Sequence, residues 1–160
     1  DIQFNDGILF RDPLVRLNVH ETMESRIAWL PLFPGQSAEI LKRILDWNDL
    51  KGLVLSTYGS GNAPTDTELK TLLSEANNRG VSLVNVSQCS HGAVHPERYA
   101  TAHMLRDCGV IPGGDMTTEA ALTKLMHCLG QGLEGDDLRN AMRSDLRGEI
   151  TKFSPVAPVH

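Results

Sequence analysis

"GLVLSTYGSGNAPTDTELKTLLSEANNRG", residues 52–80, reads as one complete structural unit. Residues 52–56 form an unbroken apolar run closed by serine, the pattern of a strand covered on both faces. Two glycines one residue apart, an asparagine and a proline then interrupt the run. Beyond Pro64, Thr65 and Glu68 have capping-box spacing, in which each side chain satisfies a backbone donor left open at a helix start. Leu69, Leu72, Leu73 and Ala76 follow at i, i+3, i+4 and i+7, and Gly80 stands just past the helix end. Buried strand, glycine loop, amphipathic helix: this is the βα half of a parallel-sheet unit.

The rest of the chain repeats the alternation. Apolar runs at 26–33, 81–87 and 109–111 predict further strands. Ser37 precedes a segment carrying Ile40, Leu41, Ile44 and Leu45 on one side. Leu122, Leu125, Met126 and Leu129 lead to Gly130, and Leu138, Ala141 and Met142 predict one more helix after Asp136. The reading is an α/β fold with three αβα layers, about four parallel strands and right-handed crossovers, flavodoxin- or Rossmann-like. Residues 1–25 read as a linker or short hairpin, 26–151 as the domain, and 152–160, with two prolines, as a flexible tail.

Composition sets outer bounds. The charge is −5, from 15 basic and 20 acidic residues, with no basic stripe, which argues against a nucleic-acid partner. No apolar run approaches the roughly 18 residues of a membrane span. Three separated cysteines without a CxxC pair favour free thiols and a cytoplasmic location. The chain opens on aspartate rather than methionine and reads as a fragment or processed piece.

Ligands of open α/β sheets bind beyond the carboxyl ends of the strands, where the strand order reverses. The residues predicted there are Ser56, Thr57 and Tyr58, then Ser87, Gln88 and Cys89, then Gly113, Gly114 and Asp115. Neutral hydroxyls and amides suit a small polar molecule. The dinucleotide fingerprint requires a third glycine where Pro64 stands, and no Gly-Lys-Ser/Thr pair exists, so a phosphate cradle is disfavoured. His91 and His95 are four apart, but Gly92 and Pro96 deny them a helix on which to share a metal. With Cys89 they suggest a nucleophile and base lacking an orienting third group. His103 and His127 read as solvent-facing helix residues, and Asp115 as a helix cap. Tyr58 could bond a ligand or close over the loop.

Four blocks together resemble a known family: "LVLSTYGSGNAPTD", "RGVSLVNVSQCSHGAV", "YATAHMLRDCGVIPGGDMTTEAALTKL" and "LRGEIT". In order and spacing they resemble the C-terminal domain of type I, cytoplasmic bacterial L-asparaginases, from about residue 26 through 151. The resemblance implies hydrolysis of L-asparagine to L-aspartate and ammonia by the parent enzyme, without metal or cofactor. It also implies that the catalytic threonines, aspartate and lysine belong to an N-terminal domain, so no catalytic residue is assigned here. The implied partners are that catalytic domain, further copies of the chain in a dimer or tetramer, and L-asparagine or a similar amino acid. The positions matching the family's substrate or regulatory effector-binding region are Ser56, Tyr58, Gly59, Gly61, Asn62, Ser87 and Cys89. Ser56 stands where many bacterial relatives carry arginine; the lost charge-assisted contact, about 1.5–3 kcal/mol, predicts binding weaker by about one to two orders of magnitude. A stand-alone amino-acid sensor is the alternative. A component of an archaeal-type glutamyl-tRNA amidotransferase is less favoured.

Overall fold

The computed structural model describes residues 19–64, 66–89, 93–94 and 100–151, the side chains of 100–102 excepted. The possible hairpin before residue 19, the tail after 151, Thr65, and the His91 and His95 pair lie outside the described residues. Residues 19–26 form neither strand nor helix; Glu24 donates its backbone N–H to Met126 O at 2.9 Å.

Strands β1 (Ile27–Pro31), β2 (Gly52–Thr57), β3 (Ser82–Ser87) and β4 (Ile111–Pro112) form one parallel sheet in the order β1-β2-β3-β4. Helices α1 (Ala38–Leu45), α2 (Thr67–Asn78), α3 (Ala100–Asp107), α4 (Thr118–Gly130) and α5 (Gly135–Arg143) cover it. β2 is buried at every position, and β3 at all but its first residue, as their apolar runs require. Because side chains alternate across a strand, β2 and β3 feed two separate cores. Leu53, Leu55 and Leu83 pack with Leu41, Leu45, Leu69, Leu73, Leu105 and Cys108 from α1 to α3 and the turn beyond. Val54, Val84 and Val86 pack with Ala121, Leu125, Cys128, Leu138 and Met142 from α4 and α5.

The strand order corrects one expectation. Each crossover adds a strand on the same side, so successive helices fall on one face, and only after β4 does the chain cross to the other. The order never reverses, and no switch-point crevice forms among the described residues. The carboxyl ends of β2 and β3 still lie side by side, with Ser56 paired to Val86 and Thr57 to Ser87.

Helix starts follow capping chemistry with two changes. Ser37 accepts from Glu39 N at 3.2 Å, as expected. The cap of α2 is Asp66, which accepts from Leu69 N at 2.6 Å, one residue after the predicted Thr65. The cap of α4 is Thr117, accepting from Ala120 N at 3.2 Å, and not Asp115. Asp115 instead accepts from the backbone N–H and hydroxyl of Thr151, at 2.8 and 2.5 Å. Burial raises its pKa, but those two bonds outweigh it and hold the carboxyl below its usual range.

Candidate ligand-binding site

The loop after β2 is a closed turn. Tyr58 N donates to Asn62 O at 2.8 Å, while Gly61 N and Asn62 N both donate to Tyr58 O, at 3.0 and 2.8 Å. Gly59 and Gly61 adopt φ of 48° and 105°, which explains why the sequence places glycine there. At Gly61 space matters as well: a Cβ would stand 2.9 Å from Val94 Cγ1 and 3.4 Å from Asn85 Nδ2.

Below the loop lies a hydrogen-bonded floor. Thr57 Oγ1 donates to Asn85 Oδ1 at 2.7 Å, both groups being buried. The Ser87 hydroxyl donates to Gly59 O and accepts from Cys89 N at 3.0 Å, locking the β3 end to the β2 loop. Gln88 Nε2 donates to Leu32 O and Ser56 O, at 2.5 and 2.7 Å, joining the ends of β1 and β2. Tyr58 is half-buried against the first core. Its hydroxyl is enclosed and has no hydrogen-bond partner among the described residues, an arrangement that an added polar partner would relieve.

Six of the seven expected residues therefore gather at one place: Tyr58, Gly59, Gly61, Asn62, Ser87 and Cys89. The thiol of Cys89 is exposed beside them. Ser56 does not join them. It is 2% exposed, and its Oγ accepts from Trp29 Nε1 at 2.8 Å and lies 3.2 Å from Thr118 Oγ1 at the start of α4. The alternation that directs Thr57 and Ser87 to one face sends Ser56 to the other. Of the two outlying histidines, His103 is exposed as expected, with Nδ1 3.1 Å from an Arg106 nitrogen. His127 is half-buried instead, its ring edge-on to His20 at 5.3 Å.

Sequence reasoning missed Asn85, which organises the floor. Its signal was a lone amide inside the valine-rich run "VSLVNVS", where a buried polar group has to find a partner. Chemically the floor is spent on structure. The hydroxyls of Ser56, Thr57 and Ser87 bond to an indole, an amide and a carbonyl, and none of them bonds to a base among the described residues. No group of three or more His, Cys, Asp or Glu that could hold a metal occurs among the described residues. No described helix is long and apolar enough to cross a membrane.

Comparison with known proteins agrees with this architecture. L-asparaginase 1 of Escherichia coli K12 is 42% identical over 135 residues, covering 84% of this chain and 40% of that protein. The human 60 kDa lysophospholipase is also 42% identical, over 153 residues, covering 94% of this chain and 26% of the relative. The crystal structure of L-asparaginase I from Vibrio cholerae superposes with a TM-score of 0.81 at 39% identity, over 89% of this chain and 42% of that one. The chain thus spans well under half the length of these relatives. Residues 26–142 match the model of the glutaminase/asparaginase C-terminal domain, and the chain belongs to that family.

Proposed function

We propose that the chain serves as the C-terminal domain of a cytoplasmic L-asparaginase, which hydrolyses L-asparagine to L-aspartate and ammonia without a metal or cofactor. Its part is assembly with a catalytic domain and with further copies of itself, together with one wall of an asparagine-binding site. The wall consists of the 58–62 loop with Ser87 and Cys89. The observation that carries this reading is the commitment of the tip hydroxyls to hydrogen bonds with non-basic groups, which leaves a shaped polar surface and no activated hydroxyl nucleophile among the described residues. The relatives support it from another side. The same domain matches L-asparaginases, a lysophospholipase and, at 36% identity, one component of the glutamyl-tRNA(Gln) amidotransferase of Methanothermobacter thermautotrophicus. A domain shared by proteins so differently named fits a supporting role better than a reaction-defining one.

Calorimetric titration of the chain with L-asparagine tests the proposal. Saturable binding lost in Asn62→Ala is expected, with L-alanine giving no heat as the amide-free control. Absence of saturable binding, or binding indifferent to Asn62, would contradict the loop as a ligand wall.

A further inference from the structure

The sheet ends abruptly at β4, a strand of two residues with no neighbour on its outer side among the described residues. Helices from both layers overhang that edge, α3 from one face and α5 from the other. Between them lies a cleft of about 100 Å³ whose lining includes Asn85, Pro112, Arg106, Arg139 and Arg143. A single water needs roughly 10–15 Å³ of such space, so the cleft admits a molecule of several heavy atoms.

Its charge is one-sided. The three arginines line it in a chain whose overall charge is −5. Asp136 and Asp107 approach Arg139 and Arg106 only at 3.8 and 3.9 Å, longer than a hydrogen bond. One Arg139 nitrogen donates to Gly109 O at 3.2 Å, which fixes the side chain against the edge. Arg143 has no ion-pair partner among the described residues. The second observation is at the floor. Asn85 is 3% exposed, its Oδ1 is taken by Thr57, and no described group accepts from its Nδ2. The Asn85 side chain lines the same cleft.

We infer that the cleft is a binding site for a small dicarboxylate, distinct from the 58–62 loop. Guanidinium forks from two helices meet a carboxylate at each end of such a molecule, a geometry that lysine or a neutral lining would not offer. The unpaired Asn85 donor supplies the neutral hydrogen bond that a carboxylate oxygen accepts in place of water. Phosphate carries similar charge but a single centre, and offers one group where a dicarboxylate offers two. The site also borders the loop, because Asn85 and Val94 are the groups nearest the Gly61 α-carbon face.

The test is calorimetric titration of the chain with succinate at low salt. One-to-one binding is expected, weakened about tenfold or more in Arg143→Gln and in Arg106→Gln, with the urea midpoint of each variant unchanged. Butyrate, with one carboxylate, and inorganic phosphate are expected to bind at least about tenfold more weakly than succinate. Asn62→Ala is expected to leave succinate binding intact, so the result stands apart from that for asparagine. Absence of saturable binding, binding unaffected by both arginine variants, phosphate as tight as succinate, or loss of succinate binding in Asn62→Ala would each overturn the inference.

Discussion

Lys124 Nζ lies 2.6 Å from Glu149 Oε1, with the lysine side chain 4% exposed and the glutamate 16%. The same ammonium donates to Ser144 O and Met142 O, at 2.5 and 3.2 Å, so all three of its protons are placed. Glu149 in turn accepts from Leu146 N at 3.0 Å and from Arg147 N at 2.6 Å, folding the "LRGE" turn around its own carboxylate. One ion pair therefore ties α4 to the end of α5 and to the segment that follows. It gives a physical reason for the "LRGEIT" signature, which reads from sequence only as a family resemblance.

Removing one partner strands the other charge. Glu149→Gln should lower stability by about 3–5 kcal/mol in urea denaturation, the usual result of breaking a buried pair. The Lys124→Met/Glu149→Gln double variant should lose less than the sum of the single variants, because no buried charge remains unpaired. Additive losses in that cycle would show that the two residues act independently.

The pair also predicts a pH dependence. Burial raises the pKa of Glu149, but the Lys124 ammonium and the backbone N–H donors outweigh it and bring the carboxyl from 4.5 to about 2. A lowered folded-state pKa gives stability that is complete above the unfolded value and drains away as pH falls toward the folded one. Wild type should therefore lose stability between about pH 4.5 and 2 more steeply than Glu149→Gln. Urea midpoints measured across that interval check this; parallel curves would contradict it.

Thr57 and Asn85 make the next test. Thr57→Val keeps the shape but leaves Asn85 Oδ1 without its donor, an expected loss of about 1–3 kcal/mol in thermal or urea unfolding. Adding Asn85→Leu should recover part of that loss by removing the stranded acceptor. A fully additive double variant would count against the pairing.

Gly61→Ala should cost about 1–3 kcal/mol, since alanine is strained at a φ of 105° and its methyl would press on Val94. Val94→Ala should relieve the steric share and leave the backbone share in place. Equal melting temperatures for Gly61→Ala and wild type would refute the turn geometry.

At Ser56 the structure places the side chain away from the 58–62 loop. A serine in an arginine position suggested a weakened ligand clamp, but this side chain is sealed beneath Trp29 on the α4 side. Ser56→Arg should therefore destabilise the chain by about 1–3 kcal/mol through overpacking and leave asparagine affinity unimproved. Paired urea and calorimetric measurements separate the two effects. A tenfold gain in affinity without loss of stability would reverse the assignment of this residue.

What the sequence made legible follows from how local each signal is. The continuous run of β2 and the spacing of Leu69, Leu73 and Ala76 report burial directly, and both elements appear where expected. The cap shifted from Thr65 to Asp66 because two adjacent residues of capping type compete, and spacing alone does not rank them. Strand order was not legible at all, since any order of four parallel strands gives the same alternation of runs. At the site, Gly59, Gly61 and Asn62 stood out as turn residues. Asn85 and Lys124 did not, because each gains its meaning from a partner distant along the chain, Thr57 and Glu149 respectively.

Ammonia release from L-asparagine by the purified chain bears most directly on the proposed division of labour between this domain and a catalytic one. Binding without turnover is the expected result, with ammonia no higher than in a protein-free control. Sustained release that is abolished by a substitution within the 58–62 loop would place the chemistry in this domain and contradict the proposed role of the loop as a non-catalytic wall.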